Sequence, residues 1–278
     1  MGVHIGPWSD DANMKPRVLV LTGYGINCDY ETEYAFNMPR VGGRAERVHV
    51  NDLIDSRGNS TPLSKYDILA IPGGFSYGDD IAGGKVLANK LHHHLRDQLA
   101  EFIENNKLII AICNGFQALV KMGLLPALGR RYAEQQVTLT YNDSNKFEDR
   151  WVYLAANPKS HCIFTKGLDR IYLPVRHGEG KLVARDPDML RELHRHGNVV
   201  LQYVDEEGNV GDYPHNPNGS EDGIAGLCDP TGRIFGLMPH PEAYLFQTNH
   251  PRWTRRPHEG EDGDGIQLFR NAYDYLRG

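Results

Sequence analysis

A run of five apolar residues that ends on a cysteine constrains this chain more than any other feature. Residues 108–112, Leu-Ile-Ile-Ala-Ile, have the length and composition of a buried strand, and residues 114–122 follow with a helical pattern. Ala111 and Gly115, two residues before and after Cys113, are small, as a sharp strand-to-helix turn around a nucleophile requires. The amide end of the helix then favours a thiolate. A buried core cysteine is the alternative, and the small flanking residues favour the nucleophile.

A histidine and a glutamate near the end of the sequence could activate such a cysteine. Residues 234–238 are typical of a short strand, and His240 and Glu242 follow it with prolines between and before them. Prolines favour extended backbone, in which side chains two residues apart leave on the same side. Alone, His-Pro-Glu is a weak signal, because the chain has 13 histidines. Together with Cys113, it predicts a catalytic triad in which Glu242 orients the imidazole of His240.

A glycine-rich loop supplies the third part of such a site. Residues 68–71 are apolar and run into Pro-Gly-Gly-Phe-Ser-Tyr-Gly-Asp-Asp at positions 72–80. The backbone N–H groups of Gly74 and Asn114 could converge on an oxyanion. A glycine-rich turn without chemistry is the alternative. The loop lacks the Gly-Lys-Ser/Thr ending of a phosphate-binding loop.

Several further motifs occur in the same order as in a known family. The chain resembles the class I glutamine amidotransferases, and within them the glutaminase subunits of phosphoribosylformylglycinamidine synthases. The resemblance runs from about residue 17 to the end, and its many ordered motifs make it specific. Besides Cys113 and His-x-Glu, the motifs are Gly25-Ile-Asn27-Cys28-Asp29, Gly73-Gly74-Phe75-Ser76-Tyr77-Gly78-Asp79, Cys113-Asn114-Gly115-Phe116-Gln117, Asn142-x-Ser144-x-x-Phe147-Glu148-x-Arg150-Trp151, His177-Gly178-Glu179-Gly180 and Tyr213-Pro-x-Asn216-Pro217-Asn218-Gly219-Ser220.

The resemblance also implies which residues bind the substrate. Gly73, Phe75 and Gln117 are expected to contact L-glutamine, with a residue that caps the pocket as the alternative for Gln117. Asn142 and Ser144 are expected either to contact the substrate or to form a structural turn.

The implied reaction hydrolyses L-glutamine through a cysteine thioester. Ammonia then passes to a large synthetase subunit for ATP-dependent conversion of formylglycinamide ribonucleotide to formylglycinamidine ribonucleotide, with a small accessory subunit as an optional further partner. No cofactor or metal is expected in this chain, and ATP and Mg²⁺ are expected on the partner. One alternative is a stand-alone cysteine hydrolase such as a γ-glutamyl hydrolase, and another is a non-catalytic binding module on the same fold.

Three segments depart from the family pattern. Residues 1–16 form an N-terminal extension before the first strand, and residues 245–264 form an insert-like segment before the last helix. Ala243 and Tyr244 follow Glu242, where the family usually has an arginine. None of these changes touches the predicted triad.

Alternating apolar strands and helical patterns in the first half predict an α/β fold. We expect a doubly wound, mainly parallel sheet with helices on both faces, flavodoxin-like, in a single domain at residues 17–278. Ligands of such sheets bind beyond the carboxyl ends of the strands. The three loops that begin at Gly23, Pro72 and Cys113 all follow predicted strands, independently of the family resemblance.

Composition excludes several other classes of protein. The net charge is −6 and no basic stripe is present, which argues against nucleic acid binding. No apolar stretch is long enough to span a membrane, and no signal pattern is seen, so a cytoplasmic location is expected. The four cysteines, at 28, 113, 162 and 228, are far apart in sequence and predict neither a metal site nor a redox motif. His92-His93-His94 is interpreted as a solvated helix surface, because three consecutive helical residues cannot share a face.

Overall fold

The fold is built on one large sheet. The computed structural model describes residues 15–54, 61–255 and 260–278. Eleven strands lie within these residues: β1 (Arg17–Thr22), β2 (Arg44–His49), β3 (Ile68–Ile71), β4 (Leu108–Ile112), β5 (Val137–Thr140), β6 (Glu148–Ala156), β7 (Arg170–His177), β8 (Lys181–Ala184), β9 (Val199–Val204), β10 (Ile224–Cys228) and β11 (Ile234–Leu237).

A helix follows each of the strands β1 to β4, and two further helices lie between β8 and β9 and after β11. Within the described ranges they are α1 (Asp29–Asn37), α2 (Val50–Leu53), α3 (Lys85–Glu104), α4 (Asn114–Lys121), α5 (Pro187–Arg195) and α6 (Ile266–Arg277). In α3, Leu87, Leu91, Leu95 and Leu99 recur every four residues and are all buried, which is the spacing of a single helix face. None of the helices in the described part of the chain combines the length and the apolarity needed to cross a membrane.

The large sheet has nine strands in the order β2-β1-β3-β4-β11-β10-β9-β6-β7. The first five strands, from β2 to β11, are parallel to one another, and the four pairings from β11 to β7 are antiparallel. From β1 the chain moves one way through α1 to β2, whereas from β3 it moves the other way through α3 to β4. Right-handed crossovers therefore put α1 and α3 on opposite faces. The predicted α/β fold, with a mainly parallel sheet covered on both faces, is confirmed.

The strand composition follows from this arrangement. Strands β3 and β4 are buried along their whole length, because helices cover both faces of a parallel sheet. Such strands are continuous apolar runs in the sequence. Strand β6 instead alternates between more and less buried positions, as expected for an antiparallel strand with one wetter face.

Some sequence predictions differ from the structure. Strand β8 was not predicted; it pairs with β5 in a separate two-stranded sheet. Residues 245–264 contain short 3₁₀ turns at Gln247–Asn249 and Trp253–Arg255, and residues 256–259 lie outside the described ranges. Residues 1–14 of the predicted N-terminal extension also lie outside them. The single-domain assignment of residues 17–278 stays a prediction.

Candidate active site

Four adjacent strands bring the predicted site residues to one edge of the sheet. Strands β1, β3, β4 and β11 are neighbours and parallel, so their carboxyl ends lie together. Leu237 of β11 is paired with Ile112 of β4. Cys113 and the segment that carries His240 therefore leave the sheet side by side, although 127 positions separate them in sequence.

The turn at Cys113 has the backbone of a nucleophile elbow. Cys113 has φ 50° and ψ −105°, a region that L residues rarely adopt and that costs about 1–3 kcal/mol. A Cβ atom at Gly115 would lie 2.1 Å from the carbonyl oxygen of Ile71 in β3. Only glycine at this position lets α4 pack so closely on the neighbouring strand.

The thiol of Cys113 is enclosed rather than displayed on the surface. Cys113 is 4% exposed, and its Sγ atom lies 3.7 Å from the backbone oxygen of Arg176. It also lines a cavity of about 170 Å³, so a substrate would reach the sulfur through that cavity. The strand β7 and the loop after it cover the elbow, so the sulfur is not exposed at the surface.

His240 and Glu242 form a buried pair. The imidazole Nδ1–H donates to Glu242 Oε1 at 2.6 Å, and both residues are buried. Burial alone would lower the pKa of His240, but the Glu242 carboxylate and Cys113 outweigh it and raise this pKa well above its usual value. The pair therefore favours an imidazolium beside the sulfur of Cys113.

The expected backbone between these two residues is wrong. Residues Pro241–Ala243 form a 3₁₀ turn that begins after His240, not an extended segment. The proline at the first position of the turn suits it, because its fixed φ is compatible with a helical turn. The two side chains meet because the turn folds Glu242 back toward the imidazole.

A third side chain, Cys28, contacts the same imidazole and was not predicted as part of the site. The Sγ atom of Cys28 lies 4.0 Å from His240 Nδ1, and Cys28 is partly exposed. Burial of the thiol raises the pKa of Cys28. Its position in the loop after β1, at the same sheet edge as the other site loops, was the signal in the sequence that could have identified it.

The two expected oxyanion donors lie beside the elbow. Gly74 faces Ile26 in an antiparallel bridge in which Asn27 N–H donates to Gly73 and Phe75 N–H donates to Gly25. In this pattern the N–H of Gly74 points away from residues 25–27, and Gly74 lines the cavity.

Asn114 is the first residue of α4, where backbone N–H groups have no partner within the helix. Its side chain also ties the glycine-rich loop to the elbow. The Oδ1 atom accepts from the N–H of Ser76 at 3.1 Å, and Nδ2 donates to Asp79 Oδ1 at 2.7 Å. These contacts hold the loop and the helix in one arrangement.

Gln117 and Phe75 both line the cavity. Gln117 accepts from Asn114 Nδ2 at 2.9 Å and donates to the backbone oxygen of Glu179 at 2.5 Å. Both ends of its amide are thus engaged in joining α4 to the loop after β7, which favours the pocket-capping alternative. Gly73 lies behind the cavity, against the imidazole of His240. Substrate contact by these three residues stays a prediction.

Asn142 and Ser144 hold their own turn together. Asn142 is buried and donates to the backbone oxygens of Lys146 and His177 at 2.9 and 2.8 Å. Ser144 donates to Glu148 Oε1 at 2.7 Å. Neither residue is among those that line the cavity. These contacts favour the structural-turn alternative, and a role in glutamine binding stays a prediction.

His177 stands close to the site in a neutral state. Its Nδ1–H donates to Asn142 Oδ1 at 3.1 Å, and burial lowers the pKa of His177 to about 3. It is therefore uncharged at neutral pH, while His240 nearby carries the charge.

Comparisons with known proteins agree with this geometry. A family model of CobB/CobQ-like glutamine amidotransferase domains matches residues 15–276. A phosphoribosylformylglycinamidine synthase subunit PurQ of Dehalococcoides mccartyi is 48% identical over 266 residues, which cover 95% of this chain and 98% of that relative. A subunit of the same name from Methanococcus maripaludis is 43% identical, over 94% of this chain and 97% of its own length.

A solved structure is also similar. A chain in the structure of PurLQS from Thermotoga maritima matches with a TM-score of 0.70 and 32% sequence identity. The match covers 95% of this chain and 100% of that one.

Proposed function

Since this chain belongs to the family of PurQ subunits of phosphoribosylformylglycinamidine synthase, within the CobB/CobQ-like glutamine amidotransferases, we propose that Cys113 hydrolyses L-glutamine and releases ammonia for that synthase. The observation that carries the proposal is the arrangement at adjacent strand ends. Cys113 sits in a strained elbow on β4, and the His240–Glu242 pair follows β11 beside it.

Cys113 is the nucleophile in this proposal. Its thiolate attacks the side-chain carboxamide carbon of glutamine, and the imidazolium of His240 donates a proton to the departing nitrogen so that ammonia leaves. A glutamyl thioester remains on the sulfur. His240 then takes a proton from water, which attacks the thioester and releases glutamate. Glu242 keeps the imidazole oriented and stabilises its charge through both steps.

Backbone amides stabilise the charge that develops on the carboxamide oxygen. The N–H groups of Gly74 and Asn114 are the donors, and the loss of one such donor typically costs ~3 kcal/mol of barrier. The side chain of Asn114 bonds to the glycine-rich loop at Ser76. The two donors therefore keep a fixed separation before substrate arrives, which is the condition for electrostatic preorganisation.

The ammonia is used on a partner subunit. We propose that the partner is a large synthetase subunit, with a small accessory subunit in the same complex, and that it uses ATP to convert formylglycinamide ribonucleotide to formylglycinamidine ribonucleotide in purine biosynthesis. Ammonia must remain unprotonated to act as a nucleophile, so it has to travel without contact with bulk water. The work of this chain is then to generate ammonia where a partner covers the cavity. The cytoplasm is the location we propose for this complex.

Exposed aromatic side chains mark the surface where that partner would dock. Phe75, Tyr141 and Phe147 line the cavity, and each has about half of its surface exposed. Ile81, in the loop after the glycine-rich segment, is 83% exposed. Apolar groups clustered around a cavity are typical of a protein–protein interface. A partner on this surface would close the cavity from solvent.

A stand-alone hydrolase such as a γ-glutamyl hydrolase is not favoured. The relatives that match this chain over nearly their whole length are named as synthase subunits. Turnover that depends on the partner and on its acceptor substrate separates the two functions.

The decisive experiment compares two cysteine variants in the assembled complex. Cys113→Ala should abolish glutamine-dependent synthesis and retain ammonia-dependent synthesis, because the partner's own site is untouched. Cys162→Ala, at another buried cysteine that is not among those lining the cavity, is the matched control and should retain both activities. Loss of both activities in Cys113→Ala would give that residue a structural role and would overturn the proposal.

A further inference from the structure

Cys28, His240 and Glu242 form a cluster of metal-ligating atoms. One sulfur, one imidazole nitrogen and one carboxylate oxygen from these residues all lie within 4.8 Å of one another. Cys28 Sγ is 4.0 Å from His240 Nδ1, which is 2.6 Å from Glu242 Oε1. The mechanism proposed above uses the imidazole of His240 and the carboxylate of Glu242, but it assigns no role to the sulfur of Cys28.

Two buried atoms of the cluster have no partner within the described chain. They are Glu242 Oε2, on the carboxylate of the cluster, and His240 Nε2, the other nitrogen of the ring whose Nδ1 faces Cys28. Both atoms are fully enclosed and make no hydrogen bond there, and their residues are more than nine-tenths buried. Unsatisfied buried polar atoms are rare and call for a ligand or a functional explanation. The free oxygen of Glu242 gives the carboxylate capacity for a ligand in addition to its bond with the imidazole.

The absence of a side chain at Gly73 leaves space beside these donors. A Cβ atom there would lie 2.8 Å from His240 Cε1 and 3.4 Å from both Cys28 Sγ and Cys113 Cβ. Glycine therefore keeps open a small volume between the imidazole and the two cysteines. Cys28 is partly exposed, so the cluster has one member that solvent reaches, whereas His240 and Glu242 are buried.

We propose that Cys28, His240 and Glu242 bind a thiophilic divalent cation, with Zn²⁺ as the best match, and that the bound ion reversibly switches off the glutaminase. Sulfur, imidazole nitrogen and carboxylate oxygen are the three ligand types that Zn²⁺ takes in proteins. Three protein ligands leave a fourth tetrahedral position, which water or the nearby sulfur of Cys113 can fill.

Inhibition follows from which atoms the ion occupies. An ion bound to His240 Nδ1 takes the place of the proton that this nitrogen shares with Glu242, so the ring can no longer become the imidazolium that gives its Nε2 proton to the leaving nitrogen. It also competes for the carboxylate that orients the ring. Mg²⁺ prefers an all-oxygen shell in octahedral geometry, so the Mg²⁺ that accompanies ATP on a synthetase would not occupy this site. The inhibition is therefore selective for Zn²⁺-like ions.

Metal binding can be measured separately from activity on the purified full chain after treatment with a chelator. Co²⁺ serves as a spectroscopic probe, because a thiolate ligand gives it a charge-transfer absorption, and Zn²⁺ is titrated in to displace it. The same titration is repeated on Cys28→Ser, on Cys113→Ala and on Cys162→Ser as a control at a distant buried cysteine. Glutaminase rates of the wild type, Cys28→Ser and Cys162→Ser in the assembled complex are measured with Zn²⁺, with Mg²⁺ and after added chelator, and each is compared with the same protein's zinc-free rate.

We expect one Co²⁺ per chain with a thiolate absorption in the wild type, in Cys113→Ala and in Cys162→Ser. Loss of supporting residues around a metal typically costs about 10–100-fold in affinity, so loss of the ligand Cys28 should weaken Zn²⁺ binding by roughly 100-fold or more. Cys28→Ser should then resist Zn²⁺ at concentrations that inhibit the wild type, and chelator should restore wild-type activity.

Three results would overturn the site: no Co²⁺ or Zn²⁺ binding by the wild type, equal binding or inhibition in Cys28→Ser, or loss of the absorption in Cys113→Ala alone. The last would mean that the nucleophile holds the ion. A wild type that fails to hydrolyse glutamine in the zinc-free assembled complex would instead refute the proposed function, and the Co²⁺ spectrum would still decide the metal site.

Discussion

An alanine at position 73 would press a methyl group against the imidazole of His240. The added Cβ atom would lie 2.8 Å from His240 Cε1, whereas ordinary contacts of this kind begin at 3.4 Å. The imidazole must therefore move by about 0.6 Å, or the glycine-rich loop must move by the same amount. The other two neighbours, Cys28 Sγ and Cys113 Cβ, are already at 3.4 Å and need not shift.

This displacement sets the size of the expected effect. A misplacement of about 1 Å in a catalytic group can cost ~100-fold in rate, so a shift of about 0.6 Å should lower kcat roughly 10- to 100-fold. That loss corresponds to about 1.4–2.7 kcal/mol of barrier. The KM for glutamine should change little, because Gly73 is not among the residues that line the cavity. The thermal midpoint should also change little, because the backbone at Gly73 is not in the left-handed region.

The measurement is steady-state glutaminase kinetics of Gly73→Ala in the complex with its partner, with thermal unfolding alongside. Gly211→Ala is the matched control, since a Cβ atom there would meet nothing within 4 Å, and it should behave as wild type. Ammonia-dependent synthesis should survive in both variants. A wild-type kcat in Gly73→Ala would refute the reasoning, and so would a lower kcat accompanied by an equally large loss of folding stability.

Three further outcomes follow from the site. His240→Ala should lower kcat roughly 10–100-fold more than Glu242→Ala, because proton transfer is lost in the first and only orientation in the second; steady-state kinetics that give the reverse order would contradict these roles. Gly115→Ala places a Cβ atom 2.1 Å from the carbonyl oxygen of Ile71, so denaturant unfolding should show a loss of about 3 kcal/mol or more, and an unchanged midpoint would rule out the close packing of the elbow. The pKa of His177 is about 3 in the folded chain, against 6.5 ordinarily, so as pH falls the unfolded chain takes up this proton first. The contribution of His177 to the free energy of unfolding is therefore complete above about pH 6.5, and it declines by about 1.4 kcal/mol by about pH 5.5. In urea unfolding between about pH 7.5 and about pH 5.5, the free energy of unfolding of His177→Phe should fall by about 1.4 kcal/mol less than that of the wild type. An equal fall in both proteins would contradict the neutral, buried state of His177.

The sequence predicted best those elements whose burial leaves a continuous apolar signal. Residues 108–112 coincide with β4, and residues 68–71 coincide with β3. Both strands are buried on two faces, so every position is apolar and the strand ends are clearly marked. The short, partly exposed strand β8 carries no comparable signal, and only its pairing with β5 reveals it.

The approach of His240 to Glu242 was predicted for the wrong reason. Proline allows both an extended segment and the first position of a helical turn, so the sequence alone could not decide between them. The structure has the turn. The contact is retained because His240 is still extended and the turn that begins after it folds Glu242 back toward the imidazole.

The residues that the sequence could not assign depend on tertiary contacts. Cys28 precedes His240 by 212 residues, and only the neighbouring strand ends bring them together. The sequence left two roles for Asn142, substrate contact or a structural turn, because its short amide side chain suits both. Its bonds to the backbone of Lys146 and His177 satisfy buried polar groups that would otherwise carry an energetic cost.

The position of β11 between β4 and β10 sets the order in which the proposed site can assemble as the chain is synthesised. A ribosome-bound chain that ends before residue 234 has β4 with a bare edge and a cysteine without its proton carrier. The strand that pairs with β4 and the imidazole that follows it emerge together, at residues 234–240. In the proposed mechanism, a chain shorter than 240 residues therefore carries the nucleophile but lacks the acid that would release ammonia.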